Sequence, residues 1–164
     1  MKFLTKEPVK RVEKFLKDYD ASLKVISLDT SARTAKEAAD SLKSHIGAIV
    51  KSLLFRADNR FILCLISGDK KASLNKLKKN LKIIDMEMAN AEEVKIITGY
   101  TIGGVSPVAH LEKIDIFIDN TLNRFNELFA AAGHPNCVFK IDFKNLVKIT
   151  KGSILDIAQW GNPS

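Results

Sequence analysis

The stretch from Ala48 to Ser67, AIVKSLLFRADNRFILCLIS, decides how this chain is expected to fold. Its two halves are rich in branched and aromatic residues, and the ADN between them has turn chemistry. This pattern predicts a β-hairpin of two largely buried strands. Lys51 interrupts the first strand, although lysine is almost never fully buried unless it is paired. Strand alternation allows its side chain to point either to water or into a polar cleft that receives an anion or a polar substrate.

Helical and extended patterns follow one another irregularly on both sides of this hairpin. Thr34 with Glu37 and Asn90 with Glu93 form capping boxes that predict two helix starts, and Gly99 stands where a helix stop needs a left-handed residue. Further helices are predicted over 6–19, from Ser73 through Leu81, from Asp119 or Asn120 through Leu122, Phe125, Leu128 and Phe129 to Gly133, and over 143–150, with strands over 23–28, 82–86, 113–119 and 137–141. The chain is therefore expected to be α+β, a single compact domain over residues 1–164 with a mixed, largely antiparallel sheet flanked by helices.

Size and composition are those of one globular domain with a substantial core, because the chain has 164 residues of which 46% are hydrophobic. No apolar run is long enough to cross a bilayer, so no membrane partner is expected. The stretch MKFLTKEPVKR is too short and too quickly charged for a secretory signal. A cytoplasmic location is the expectation.

The net charge of +7 makes a polyanionic partner plausible. The excess of lysine concentrates in GDKKASLNKLKKNLK, over residues 68–82. The lysines offered as a surface for phosphates are Lys70, Lys71, Lys76, Lys78, Lys79 and Lys82. A merely solvated helix face explains the same charge equally well. Nothing resembles a helix-turn-helix, a zinc finger or a stacked aromatic platform, so DNA is not an expected partner.

Cysteine and histidine give no sign of a metal site. Cys64 and Cys137 lie in apolar strand-like runs without CxxC or HxxH spacing and are expected to be reduced core residues. His45, His110 and His134 are scattered without ligand spacing, and no nucleophile elbow, zinc-protease, phosphate-loop or dinucleotide-binding motif is present. No metal or cofactor is expected. His45 and His110 are interpreted as surface or structural residues, whereas His134 lies in the predicted turn AAGHPN, where function concentrates.

The loop GYTIGGVSP, residues 99–107, has more glycine and proline than a plain connection needs. Gly103 and Gly104 permit close approach and unusual torsions, and Pro107 stiffens the exit. Such a loop can present several backbone N–H groups to one oxygen, which is the chemistry of an oxyanion hole. A tight turn that only reverses the chain is an equally good interpretation of these residues alone.

Taken together, the stretches resemble the YbaK/ProX family of aminoacyl-tRNA deacylases, which are similar to the editing domain of bacterial prolyl-tRNA synthetases. The resemblance runs in order over nearly the whole chain. It is carried by TSARTAKEAADSL, IVKSLLFR, LISGDKKASLNKL, TGYTIGGVSP, IFIDNTL, AAGHPN and ILDIAQ. The family's lysine falls on Lys51, and its glycine-x-x-x-proline loop falls on Gly103 to Pro107. A barrel-like sheet is implied for the fold.

The resemblance implies hydrolysis of the ester of mischarged tRNA, most readily tRNA for proline, without metal, cofactor or covalent nucleophile. Backbone groups of Gly104, Val105 and Ser106 would hold the aminoacyl end or its oxyanion, and Lys51 would position the terminal nucleotide. Prolyl-tRNA synthetase is an implied partner. The residues implied to bind the substrate are Thr34, Gly68, Asp69, Gly103, Pro107, His134 and Asn136.

Several alternatives stay open at this point. His134 and Asn136 are both possible counterparts of a histidine that some relatives carry before the last strand. Val108, Ala109 and His110 depart from the family's commoner continuation after the proline. A non-catalytic module that binds aminoacyl-adenosine, a nucleotide or tRNA, and an adaptor that binds tRNA or a synthetase through its lysines, are the competing functions. The amino acid removed, the recognition of the tRNA body and the oligomeric state are not encoded in a readable pattern.

Overall fold

The computed structural model describes residues 2–30 and 32–161. Its helices are α1 (Glu7–Tyr19), α2 (Ala35–Leu42), α3 (Leu74–Leu81), α4 (Ala91–Thr98) and α5 (Phe143–Thr150). Its strands are β1 (Val25–Ser27), β2 (Ile49–Ala57), β3 (Arg60–Ser67), β4 (Lys70–Ala72), β5 (Met86–Met88), β6 (Asp115–Asp119), β7 (Leu128–His134), β8 (Cys137–Ile141), β9 (Ser153–Leu155) and β10 (Ala158–Trp160). Short 3-10 helices lie at Lys2–Thr5, Ile46–Ala48 and Asn120–Arg124. Within the described residues, none of the helices combines the length and apolarity needed to span a membrane.

The hairpin of β2 and β3 forms the middle of the sheet, as the sequence predicted. The two strands pair antiparallel from Val50 opposite Ser67 to Ala57 opposite Arg60. The main sheet runs β1-β8-β7-β2-β3-β6-β9, and β5 pairs with β2 on the side that also carries β7. This curled, mixed sheet is a half-barrel, and β10 with β4 forms a separate two-stranded ribbon. The α+β class and the single compact domain are confirmed.

Both faces of the hairpin are buried, which explains why its strands lack polar alternation. Leu63 and Leu65 enter one apolar cluster together with residues of α1 and α5. Ile62, Cys64 and Ile66 enter a second cluster on the opposite face, which includes Leu77 of α3 and Ala158 of β10. Cys64 and Cys137 are both buried and free, as expected.

Local helix signals are confirmed at the predicted positions. The capping boxes of Thr34 with Glu37 and of Asn90 with Glu93 are both formed, and Ser73 caps α3. Gly99 ends α4 with a φ of +84°. A short strand was predicted over 82–86, whereas the structure places β5 at Met86–Met88. The segment SILDIAQ, for which the sequence pattern predicts neither a helix nor a strand, contributes to the short strands β9 and β10.

The helix predicted from Asp119 or Asn120 to Gly133 is wrong. Asp119 does cap a helical turn, because its side chain accepts a hydrogen bond from the Thr121 N–H, but that 3-10 helix ends at Arg124 and β7 follows. The physical reason is the packing of α1 across β7. A Cβ at Gly133 would lie 2.9 Å from the carbonyl of Pro8, and Ala130 and Ala132 are fully buried beside it. Small side chains such as alanine favour a helical conformation in isolation. In β7 they are needed because only small side chains leave room for α1 to pack against the strand.

Candidate active site

A cavity of about 330 Å³ opens along one edge of β2. On this edge β2 pairs with β7 only through Ile49 and Val50, and with β5 only through Phe55–Ala57. The gap between these two partners leaves residues 51–54 at the wall of the cavity. Its volume is at the lower end of the range for small-molecule sites.

The cavity wall is mainly apolar. Among the described residues that line it there is no aspartate, glutamate or histidine. The lining comes from residues 32–35 and Ala38 near α2, Ile49–Leu54 of β2, Met88, Ala89 and Val94, Ile102, Gly103 and Val105 of the glycine-rich loop, and Phe129–Ala131, Pro135, Cys137 and Val138. Lys51 and Arg33 are the charged residues of this lining, and the rest of the wall offers polar contact at few points.

Lys51 lies in the cavity wall and is half buried. Its Nζ donates a hydrogen bond to the backbone carbonyl of Lys70 on β4. Burial lowers the pKa of Lys51 from its ordinary value, while the nearby Asp69 carboxylate acts in the opposite direction. An ammonium group has three donors, so two remain for a substrate after the bond to Lys70.

Ser52 is a second polar point, which sequence analysis did not single out. Its Oγ is buried at the cavity wall and has no hydrogen-bond partner among the residues that the structure describes. The Leu54 carbonyl accepts from Ala89 on the open edge of β2, so strand alternation turns the backbone groups of Ser52 to that edge as well. No pattern in the sequence marks Ser52, because its importance comes from the missing strand pairing around it.

The glycine-rich loop reaches the cavity through Gly103 and Val105. Neither of their N–H groups has a hydrogen-bond acceptor within residues 2–30 and 32–161. The N–H of Gly104, by contrast, donates to the Thr101 carbonyl at 2.9 Å. A Cβ at Gly104 would lie 2.9 Å from the backbone of His134, so this glycine allows the loop to pack against β7. The structure thus gives Gly104 a packing role, and leaves Gly103 and Val105 as the donors available to a ligand.

The rest of the glycine-rich loop is held in place by contacts outside the cavity. Ser106 is fully buried, its Oγ accepts from the Val108 N–H, and its carbonyl lies 2.7 Å from Nε2 of His110. The hydroxyl of buried Tyr100 donates to the Val108 carbonyl at 2.7 Å. Burial raises the pKa of Tyr100 to about 12 and lowers the pKa of His110, so both side chains are held neutral. Neither Ser106 nor Pro107 lines the cavity, and both shape the loop instead.

Gly68 and Asp69 lie next to Lys51 but outside the cavity wall. A Cβ at Gly68 would lie 2.3 Å from the Ile46 carbonyl, so this glycine serves close packing. Asp69 forms an ion pair with Arg124 at 2.8 Å. Burial acts to raise the pKa of Asp69, but hydrogen bonds from Arg124 and Ser67 outweigh it and hold the pKa below its ordinary value.

The turn of His134 and Asn136 borders the cavity through the residue between them, Pro135. His134 Nδ1 accepts from the Asn136 N–H at 3.0 Å, and burial and the positive charges of Lys6 and Arg33 lower the pKa of His134. Asn136 Nδ2 donates to the Leu28 carbonyl at 3.3 Å. Both side chains therefore hold the turn in place, and neither lines the cavity.

Two further residues line the cavity although the sequence did not mark them as site residues. Arg33 brings a cation to the cavity beside Gly103, and its only signal was its place within the TSARTAKE stretch. Cys137 also lines the cavity, and burial raises the pKa of its thiol to about 11. Thr34 lines the cavity, but its hydroxyl accepts from the Glu37 N–H as the cap of α2. No group of three or more metal-ligating side chains is found in the described part of the chain.

The predicted lysine surface is divided by the fold. Lys70 and Lys71 lie on β4, whereas Lys76, Lys78, Lys79 and Lys82 belong to α3 and its end. Lys76 is paired with Asp156 at 2.9 Å. Lys78 lines a separate groove together with Asp58, Asp85 and Glu87, so its charge meets acidic side chains. The cluster is continuous in sequence but not on one face.

The apolar cavity thus combines a lysine with backbone N–H groups that have no acceptor among the described residues. Comparison with known proteins gives the family of the chain. The sequence model of the aminoacyl-tRNA editing domain matches residues 29–149, and the chain belongs to this family. A solved structure of a proposed trans-editing enzyme for prolyl tRNA synthetase superposes with a TM-score of 0.88 at 34% identity, covering 94% of this chain and 98% of that one.

Sequence relatives are of two kinds. Proline–tRNA ligase of Caldicellulosiruptor saccharolyticus is 38% identical over 121 residues, which cover 74% of this chain and 21% of the ligase. The chain thus spans about a fifth of the ligases it matches. The uncharacterised protein YwhH of Bacillus subtilis is 32% identical over 123 residues, which cover 74% of this chain and 78% of that protein.

Proposed function

We propose that this chain is a trans-acting aminoacyl-tRNA deacylase that hydrolyses the ester of mischarged tRNA, with tRNA for proline as its substrate. The observation that carries the proposal is the cavity itself, where Lys51 and the unpaired N–H groups of Gly103 and Val105 line an apolar chamber. The family supports it, because its members edit aminoacyl-tRNA. The prolyl assignment is supported by the trans-editing neighbour and the ligase relatives.

The reaction needs no covalent intermediate. Water attacks the carbonyl carbon of the aminoacyl ester, the carbonyl oxygen becomes an oxyanion, and cleavage of the C–O bond releases the amino acid and the ribose hydroxyl. In this mechanism the N–H groups of Gly103 and Val105, which have no acceptor among the described residues, stabilise the oxyanion. Such preorganised donors contribute about 3–4 kcal/mol each in other enzymes. Lys51 uses its remaining N–H donors to hold the terminal nucleotide.

The substrate itself helps to activate the attacking water. The described cavity wall offers no carboxylate or imidazole that could serve as a general base. The ribose hydroxyl adjacent to the ester is the nearest group of the substrate that can assist the attack. Cys137 does not act as a nucleophile, because its raised pKa keeps the thiol protonated at neutral pH.

The same missing base favours one second candidate, a module that binds aminoacyl-adenosine without hydrolysing it. Both functions use the same cavity and the same donors, and they differ only in turnover. A deacylation assay therefore separates them.

The test uses tRNA for proline charged with alanine, cysteine, serine or threonine, and with proline as control. We expect the protein to accelerate ester loss from at least one mischarged species and not from the prolyl species. Lys51→Ala should abolish this activity, whereas Lys14→Ala, which removes an exposed lysine of α1, should retain it. No acceleration by folded protein over the whole panel would overturn the deacylase and leave the binding module.

A further inference from the structure

Trp160 is the single tryptophan of the chain, and it lies exposed on the two-stranded ribbon. Its exposed fraction is 66%, although large aromatic side chains normally bury their area. The cavity, Lys51 and the glycine-rich loop do not account for this indole.

Lys70 lies directly opposite Trp160 in the ribbon. Only 8% of this lysine is exposed, yet its Nζ is 4.3 Å from the centre of the indole ring. No acidic side chain within the described residues pairs with this ammonium. The stem is thus buried, while the ammonium group lies against the exposed ring with no acidic partner among the described residues and can meet an anion there.

A second cation meets the same ring. The guanidinium carbon of Arg124 is 5.3 Å from the centre of the Trp160 ring, and the ion pair with Asp69 fixes the guanidinium in place. An exposed indole beside a cation without an acidic partner is an arrangement that proteins use to bind an unpaired nucleotide, with the base stacked on the ring and the phosphate on the cation, here Lys70.

The position of this site relative to the cavity follows from one hydrogen bond. Lys51, in the cavity wall, donates to the backbone carbonyl of Lys70, and Lys70 is the residue paired with Trp160. The indole is therefore one strand away from the lysine proposed to hold the terminal nucleotide.

We infer that Trp160, Lys70 and Arg124 form a nucleotide platform that binds an unpaired nucleotide of the tRNA 3′ end, next to the aminoacylated one. The inference rests on the proposed function for the identity of the RNA. The platform gives the protein a contact with the substrate outside the cavity. It also makes Lys70, and not the lysines of α3, the positive charge that contributes to binding.

The single tryptophan makes the platform directly observable. A short RNA oligonucleotide ending in CCA should quench the fluorescence of Trp160, because the base stacks on the indole. Pyrophosphate, which carries charge but no base, should not quench it at the same ionic strength. Lys70→Met should weaken the RNA titration, whereas Lys14→Met should not. Absence of quenching by the RNA, or equal quenching by pyrophosphate, would overturn the platform whether or not the protein is a deacylase.

Kinetics supply a second readout. Trp160→Ala should lower kcat/KM for mischarged tRNA by roughly 5- to 150-fold, the effect of losing one stacked base. Trp160→Phe should recover part of the loss, and Tyr19→Ala, which removes a partly exposed ring on α1, should have no effect. Hydrolysis of aminoacyl-adenosine, which lacks the preceding nucleotide, should be unchanged in all three variants.

The outcomes separate the two proposals. Wild-type activity of Trp160→Ala on mischarged tRNA would overturn the platform and leave the deacylase in place. A wild-type protein that hydrolyses neither substrate would overturn the deacylase, and the fluorescence titration would then decide the platform alone.

Discussion

Arg124 holds Asp69 with two parallel hydrogen bonds, from Nη2 to Oδ1 at 2.8 Å and from Nη1 to Oδ2 at 3.1 Å. This paired geometry is the strong form of an arginine–carboxylate contact. It links the 3-10 helix after β6 to the turn after β3, and it brings a carboxylate beside Lys51 without placing that carboxylate in the cavity.

Removal of this ion pair should change stability in a pH-dependent way. The folded-state pKa of Asp69 is held below its ordinary value, so its contribution is present at neutral pH and is lost as the pH falls through that folded-state pKa. Arg124→Met should therefore lower the free energy of unfolding by about 1–3 kcal/mol at pH 7, and by less at pH 3. Urea unfolding at both pH values measures this. The matched control is Arg60→Met, which breaks an exposed pair with Asp115 and should cost at most about 1 kcal/mol. Equal losses in the two variants would contradict the prediction.

Asp69 should also control the protonation of Lys51. Burial lowers the pKa of Lys51 and the Asp69 charge opposes that shift, so Asp69→Asn should lower the pKa of Lys51 further. Titration of lysine labelled with ¹³C at Cε reports this pKa by NMR. In Asp69→Asn the neutral form of Lys51 should therefore appear at a lower pH than in the wild type. Any deacylation that depends on the charged form of Lys51 should then begin to decline at a lower pH as the pH is raised. An unchanged or higher pKa in Asp69→Asn, against an unchanged value in Asp18→Asn, would refute the coupling.

Ser52→Ala should separate stability from binding. The Oγ of Ser52 is buried without a partner among the described residues, so its removal relieves an unsatisfied group. We expect the thermal midpoint of the free protein to be unchanged or higher. The dissociation constant of a non-hydrolysable aminoacyl-adenosine amide should rise, because the ligand loses a hydrogen bond at the cavity wall. A lower midpoint with unchanged affinity would show that the hydroxyl has a structural partner instead.

Gly104→Ala tests the packing of the loop against β7. The added Cβ would lie 2.9 Å from the backbone of His134, which cannot move aside as a flexible side chain can. The free energy of unfolding should fall by about 1–3 kcal/mol, as for other overpacked sites. At Gly161 a new Cβ would meet only the flexible stem of Lys71, so Gly161→Ala is the control and should cost much less. Denaturant titration of both variants decides the point, and equal costs would count against the packing role.

Signals that depend on neighbours in sequence predicted the structure well. The capping boxes of Thr34 and Asn90 and the left-handed Gly99 act within four residues, so the sequence contains the whole interaction. The β2–β3 hairpin is of the same kind, because its turn and its register are local.

Features that depend on distant segments could not be predicted in this way. Leu122, Phe125 and Phe129 have helical spacing, but β7 forms because its residues pair with β2 and β8 and admit α1 at Gly133. At the site, Lys51 stood out as a charge within an apolar strand and the loop of Gly103 by its glycines, and the family resemblance then favoured a functional role for both. The orphaned Ser52 and the indole of Trp160 next to Lys70 arise from pairings between strands that are far apart in sequence.

The residues that line the cavity span positions 32–138 of the chain. Residues near 32–38 and the edge of β2 form the first part, and β7, Pro135 and Val138 complete it. Because Val138 of β8 is the last residue of this lining, the wall is complete only when β8 is in place. A chain that ends before β8 keeps Lys51 and the glycine-rich loop but lacks the side of the cavity that Cys137 and Val138 form.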